Sequence, residues 1–195
     1  ADELEKVLRN MQKEGSRPDF ITFAGNGEPI MHPAFHGIAK DTKSIRDEFF
    51  PDCKISLLSN SSLLHKKEIV DALYYIDVNI LKLDTAIEST FQALNKPAHG
   101  IKLKNIIESL GGFKGQKTLQ TLFIRGKNKY NNIDNTTKEE INALIDAYKT
   151  IKPDSIMVYS FERGTPTPDL EKIEVDELNK IASILKAEGF RVEVY

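Results

Sequence analysis

The chain has 195 residues, enough for one domain with a sizeable core. Hydrophobic residues make up 40% and charged residues 29%, ordinary for a globular protein, and a net charge of −2 gives no basic footprint for nucleic acid. No apolar run reaches the roughly 18 residues of a membrane span, so no membrane partner is expected. The single cysteine excludes an internal disulfide framework and suits a reducing cytoplasm.

The first predicted element is a helix over residues 2–14, with Leu4, Val7, Leu8 and Met11 on one face. Its polar start is no signal peptide. A β-rich run at 20–25 follows, then a helix over 33–50 with Pro33 in its first turn. A strand at 54–60 leads to a helix over 63–75, capped by Ser61 or Ser62. A strand at 80–86 precedes a helix over 101–110, ended by Gly111 and Gly112. A strand at 119–125 precedes a helix over 137–151, where Thr137 and Glu140 form a capping-box pattern. A strand at 155–161, a helix over 175–188 with Gly189 just past its end, and a strand at 191–195 complete the order. Polar loops lie at 126–136 and 163–172.

Short apolar runs bounded by turn residues read as strands buried on both faces. Strand starts lie 26 to 39 residues apart, one βα unit, and no two strands are joined by a two-residue hairpin turn. The pattern predicts an α/β fold of consecutive parallel βα units, either an open sheet or a barrel-like one.

In such folds function gathers at the C-terminal ends of the strands. Those ends are Gly25-Asn26-Gly27-Glu28, Ser59-Asn60-Ser61, Lys82 to Asp84, Arg125-Gly126, and Tyr159 to Arg163. Glu28 stands out. Glycines on its approach let backbone come close to a ligand, Pro29 fixes the exit, and a carboxylate held there accepts charge-assisted hydrogen bonds from an ammonium group. Capping of a helix N-terminus is the competing reading.

Other patterns fall short. The segment Gly111-Gly-Phe-Lys-Gly-Gln-Lys-Thr118 has Gln116 where a P-loop needs glycine, and it joins a helix to a strand, the reverse of a P-loop. Gly25-x-Gly27 lacks the third glycine of a dinucleotide fingerprint. His32 and His36 have metal-pair spacing, but His32 precedes Pro33 and falls outside the helix. The lysines at 66–67, 102, 104, 127 and 129 read as a solvated face.

The order Thr-Phe-Ala-Gly-Asn-Gly-Glu-Pro-Ile-Met-His-Pro-Ala-Phe at 22–35 resembles the radical S-adenosylmethionine (SAM) superfamily, in its Fe-S oxidoreductase subgroup. That subgroup is related to wyosine-base tRNA enzymes and pyruvate formate-lyase activating enzymes. Further matches follow in order: Leu58-Ser-Asn-Ser-Ser-Leu-Leu64, Leu81-Lys-Leu-Asp84, Leu119-Gln-Thr-Leu-Phe-Ile-Arg-Gly126, Asn135-Thr-Thr137, Ile156-Met-Val-Tyr159 and Arg163-Gly-Thr-Pro166. The resemblance implies a partial (β/α) barrel over residues 1–195 as a single core domain. It implies that Gly27 and Glu28 hold the methionine ammonium of SAM, with Gly25 and Asn26 also binding the cofactor and Asn60 shaping the pocket beside it. Lys82 and Asp84 contact the ribose hydroxyls or the methionine carboxylate. Gln120 and Arg125 face the cofactor or the substrate, and Tyr159 and Phe161 lie near the adenine.

The resemblance also implies a [4Fe-4S] cluster held by a Cys-x3-Cys-x2-Cys loop N-terminal to the Glu28 motif. Cys53 is the only thiol and lies elsewhere in sequence, so it reads as structural. The expectation is therefore a radical SAM core without its first strand and cluster loop, from a parent enzyme that cleaves SAM to a 5′-deoxyadenosyl radical. The chain by itself is expected to be inactive. The alternative is a naturally cluster-free SAM- or nucleoside-binding or regulatory module. The substrate class (small molecule, protein or tRNA) and the oligomeric state are open at this level.

Overall fold

The structure, a computed structural model, describes residues 1–25, 27–127, 132–161 and 169–195. The expectations placed on Asn26 and Arg163, and on the middle of both polar loops, lie outside the described residues. The chain forms two compact units, Ala1–Leu81 and Lys82–Tyr195.

The first unit runs α1 (Asp2–Lys13), β1 (Phe20–Phe23), a 3-10 turn (Pro29–Met31), α2 (Phe35–Phe49), β2 (Lys54–Ser59), α3 (Lys67–Leu73) and β3 (Val78–Lys82), whose last residue, Lys82, belongs to the second unit. The strands are parallel in the order β1-β2-β3, with Phe20 opposite Lys54 and Ser56 opposite Val78. Ile55, Leu57 and Leu81 are fully buried, as continuous apolar strands require when both faces are covered. Leu8, Phe35, Ala39 and Leu73 of the helices are buried as well. α2 also carries a buried cation. Arg46 donates to Asp47 and Asp77 and to the Cys53 carbonyl, so its charge is paired as burial demands. The helix predicted at 63–75 begins only at Lys67, because residues 61–66 form tight turns after β2. Ser61 and Ser62 are therefore turn residues rather than its cap.

The second unit holds α4 (Glu88–Asn95), α5 (Leu103–Gly112), β4 (Thr118–Leu122), β5 (Ile124–Lys127), β6 (Asn132–Asp134), α6 (Lys138–Ile151), β7 (Ser155–Tyr159), β8 (Leu170–Lys172), α7 (Val175–Ala187) and β9 (Val192–Val194). β4, β7 and β9 are parallel neighbours, with Leu119 opposite Ile156 and Ile156 opposite Val192. Each unit thus contributes three parallel strands connected by helices, the α/β fold of consecutive βα units that the hydrophobic rhythm predicts.

One correction is topological. The run at 119–125 is two strands, broken at buried Phe123, whose N–H donates to the Tyr159 carbonyl. β5 leaves the parallel strands and forms a small antiparallel sheet, β6-β5-β8. Two buried polar side chains hold this corner. The Asn135 amide donates to the Asp84 and Leu122 carbonyls and accepts from the Ile124 N–H. The Ser160 hydroxyl donates to the Phe123 carbonyl and accepts from the Ile173 N–H. Gly126 lies under this crossing with φ +131, and a Cβ there would collide with the Asp169 carbonyl.

Candidate functional site

In the first unit the candidate site begins where β1 ends. Glu28 has extended backbone (φ −92, ψ 111), and its carboxylate spans two strand ends. One oxygen accepts from the Ile30 N–H at 3.4 Å, capping the 3-10 turn. The other accepts from the Asn60 N–H at 2.6 Å, immediately after β2. Glu28 thus caps the 3-10 turn, as the competing reading expected, and its carboxylate is fixed at the C-terminal end of the strands. Two oxygens offer about four acceptor positions, and the described residues use two of them.

The β2 end is itself tightly held. Ser59 Oγ accepts from the Ser61 N–H at 3.1 Å, and Asn60 Oδ1 accepts from the Ser62 N–H at 3.0 Å. Ser61 is 1% exposed with φ +66, a conformation that costs a non-glycine residue about 1 kcal/mol and persists only where surroundings impose it. Below it, the Thr22 and Ser56 hydroxyls bond across β1 and β2 at 2.7 Å. Gly25 and Gly27 have open space beside them, since an added Cβ at either would meet nothing within 4 Å. Protein packing therefore does not demand glycine there; room beside the backbone is what the two residues provide.

In the second unit the structure brings Lys82, Asp84 and Tyr159 together. Asp84 is buried, its side chain 2% exposed, and its charge is compensated. Oδ1 accepts from the Leu122 N–H at 2.9 Å, and Oδ2 accepts from Asn95 Nδ2 at 2.7 Å. Lys82 Nζ lies 3.6 Å from Oδ2, on a side chain 33% exposed. Burial works against the Lys82 charge, but Asp84 and Tyr159 outweigh it and hold its pKa above the ordinary value. Burial pushes the Tyr159 hydroxyl upward, with Asp84 adding to the shift and Lys82 opposing it. The result is an ammonium held charged beside a neutral phenol. Asp84 supports this pair from behind, its oxygens occupied by Leu122 and Asn95.

Arg125 stands apart from that cluster. It lies on β5 in the small sheet, where it donates to Glu177 and Thr136 and pairs with Asp134 at 3.9 Å. Asn95 was not singled out by the sequence. The available signal was its place before Lys96-Pro97, which ends α4 with Lys96 in the left-handed conformation.

The residues do not fit a [4Fe-4S] cluster. Such clusters need several thiolates, and the chain has one cysteine. Cys53 is buried at the start of β2, a strand of six residues, so about 20 Å of strand separates it from the Glu28 end. Burial also pushes its thiol pKa upward. Among the described residues no group of three His, Cys, Asp or Glu side chains could hold a metal. A groove of about 730 Å³, lined by Asp19, Phe20, Phe49 and Cys53, opens at the same N-terminal end, where parallel α/β folds do not place their chemistry. Lys117, the would-be phosphate lysine, is buried and donates to the Phe113 carbonyl, and Gly115 packs against the Phe113 ring. That segment is a helix-to-strand connection with no phosphate cradle. His32 caps the 3-10 turn outside α2, and His36 meets the Tyr75 ring edge-on.

No protein-family model matches the chain. It is 28% identical over 190 residues to a GTPase Obg from Brachyspira hyodysenteriae, covering 95% of this chain and 26% of that protein. It is 24% identical over 170 residues to a UPF0026 protein from Methanocaldococcus jannaschii, covering 85% of this chain and 49% of that one. The chain thus spans half or less of the length of these relatives. Among solved structures, a radical SAM methyltransferase from Sphaerobacter thermophilus superposes with a TM-score of 0.68 at 15% identity, over 97% of this chain and 54% of that one. A domain of pyruvate-formate lyase-activating enzyme from Bacteroides vulgatus gives 0.65 at 15%, over 90% and 98%. Streptococcus suis SuiB bound to S-adenosylmethionine gives 0.67 at 16%, over 100% and 43%. At these identities the likeness is one of fold, the partial (β/α) barrel of parallel βα units.

Proposed function

We propose that this chain is the SAM-binding part of a radical SAM iron-sulfur enzyme. The observation that carries the proposal is Glu28, a carboxylate pinned to the Asn60 N–H, with acceptor positions that no described residue fills and open glycines beside it. In this reading Gly27 and Glu28 take the methionine ammonium, Gly25 leaves it room, and Asn60 holds Glu28 in place. Separately, within the second unit, Lys82 and Tyr159 present donors suited to an anionic or hydroxyl group. Asp84 is the counter-charge behind Lys82 rather than a direct contact. Support comes from the fold shared with a SAM-bound protein and with a radical SAM methyltransferase.

In such enzymes a [4Fe-4S] cluster supplies the electron for reductive cleavage of SAM. No step of that chemistry is assigned to the residues described, which lack the thiolates for it. Cleavage is proposed for the whole protein, with cluster ligands supplied from outside this sequence, in keeping with relatives two to four times its length. One observation favours the second reading, a cluster-free SAM- or nucleoside-binding module: the only thiol sits at the far end of β2. The GTPase name of one relative is not carried over, because Lys117 is engaged with backbone and the segment 111–118 forms no phosphate-binding loop.

Calorimetric titration with SAM tests the binding claim, and absence of heat at millimolar ligand would overturn it. Anaerobic iron and sulfide reconstitution of the full-length gene product, with detection of 5′-deoxyadenosine, separates enzyme from module.

A further inference from the structure

The Glu28 carboxylate in the first unit is held unequally. Its contact with the Ile30 N–H, at 3.4 Å, lies beyond the usual range for such a bond, whereas its contact with the Asn60 N–H, at 2.6 Å, is short and charge-assisted. Among the described residues, the placement of Glu28 therefore depends on where the Asn60 N–H points. That direction is fixed one residue earlier. Ser59 Oγ accepts from the Ser61 N–H at 3.1 Å, and the peptide plane carrying the Asn60 N–H lies inside the ring that this bond closes. A second ring overlaps it, with Asn60 Oδ1 accepting from the Ser62 N–H at 3.0 Å. Ser61 takes the left-handed conformation (φ 66) between them. Ser59 is buried on the side of β2 that carries Ile55 and Leu57, so its hydroxyl acts on the backbone and not on a ligand.

We propose that Ser59 is a positioning residue: its hydroxyl holds the backbone from Ser59 to Ser61 so that the Asn60 N–H stays on Glu28 and the carboxylate is set before a ligand arrives. A glutamate side chain has several rotatable bonds, and leaving them to be ordered on binding costs affinity. Without the Ser59 bond the peptide between Ser59 and Asn60 can turn, and Glu28 keeps only the weak Ile30 contact among the described residues. The Ser59 bond adds little to the stability of the fold, because the left-handed Ser61 that accompanies it offsets what the bond contributes. Its effect is felt in the placement of Glu28.

The ligand side of this inference rests on the proposed SAM binding; the hold on Glu28 does not, and the test separates them. In the isotopically labelled chain, NMR follows the Asn60 amide by its proton shift and its rate of exchange with solvent. SAM affinity is measured on the same preparations. Glu28→Gln, which removes the charge from the acceptor, sets the scale of the shift. Ser59→Ala should move the Asn60 proton upfield by at least half of that scale and speed its exchange about tenfold, while the Ile55 and Leu57 amides keep their protection. SAM should bind about tenfold more weakly, and methylthioadenosine, which lacks the ammonium, as before. Ser59→Cys, close in volume but a weak acceptor, should do the same and serves if the alanine variant folds poorly. An Asn60 amide unmoved in both variants overturns the inference whatever happens to affinity. A moved amide with SAM affinity within twofold of wild type overturns the positioning role. A moved amide in a chain whose wild type binds no SAM upholds the hold on Glu28 and overturns the ligand reading.

Discussion

Replacing Glu28 with glutamine isolates the charge on which the proposed ammonium grip depends. The amide is nearly isosteric and keeps one oxygen to accept from the Asn60 N–H, so the turn after β2 should survive. Hydrogen bonds to a charged group contribute about 1.5–3 kcal/mol and neutral ones about 1 kcal/mol. Stability should therefore fall by only about 1 kcal/mol, read from urea unfolding. Binding should suffer more, because a carboxylate-to-ammonium contact becomes an amide-to-ammonium contact. A loss of about 2 kcal/mol is roughly a 30-fold weaker dissociation constant for SAM. Methylthioadenosine, which lacks the ammonium, is the control and should bind wild type and variant alike. Titration calorimetry of both ligands on both proteins is the assay. Equal losses for the two ligands, or a SAM affinity within twofold of wild type, would reduce Glu28 to a cap for residues 29–31.

Gly27→Ala should leave the melting temperature within about 2 °C, because the added Cβ meets no protein atom within 4 Å, yet weaken SAM several-fold by filling the ligand's space. Gly126→Ala should do the reverse. Its Cβ would strike the Asp169 carbonyl and approach Leu170 Cα to 2.9 Å at φ +131, so chemical denaturation should show a loss of about 3 kcal/mol. Asp77→Asn keeps an acceptor for the Ile55 N–H but leaves the buried Arg46 charge half-compensated. Asp77 is 39% exposed, so the cost should be about 2 kcal/mol rather than the ~3–5 of a fully buried pair, and a loss under 0.5 would refute the pairing argument. Lys117 has a pKa lowered chiefly by burial, with Lys114 adding to the shift. The unfolded chain therefore binds its proton more tightly, and folding is penalised below the folded pKa and relieved as pH rises toward 10.5. Wild-type stability should gain on a Lys117→Met variant as pH rises through the lowered folded pKa toward the ordinary lysine pKa. A gap that stays constant with pH would contradict it.

The βα rhythm is legible in the sequence because each parallel strand is a short run buried on both faces, a local property of composition. What local composition cannot show is structure created by pairing. β6 and β8 have three residues each and are largely polar; they are strands because β5 lies between them. The break at Phe123 carries neither glycine nor proline. It is enforced by Asn135 and Ser160, whose bonds reach 11 residues or more along the chain. α4 escaped detection for a related reason: only Phe91 of its eight residues is buried, too little to produce a helical stripe.

The same division runs through the site. Glu140 carries the signature of a capping box, and half of it forms, with the Thr137 hydroxyl accepting from the Glu140 N–H at 3.3 Å. Its carboxylate does not complete the box but receives the Thr85 and Thr90 hydroxyls. A short-range motif gave way to two longer-range donors because the side chain is buried and both its oxygens need partners. Lys82, Asp84 and Tyr159 were recognisable as polar residues at strand ends, but nothing in their order distinguishes the exposed member from the supporting one. That distinction comes from the fold, which buries Asp84 against Asn95 and the Leu122 amide and leaves the Lys82 side chain 33% exposed. Glu28 shows the converse. Its local surroundings, glycine before and proline after, already fix where its carboxylate can go, and the Asn60 amide only completes the arrangement. Residues whose geometry is set by their own backbone can thus be assigned from sequence, whereas residues whose role depends on which partner claims them require the fold.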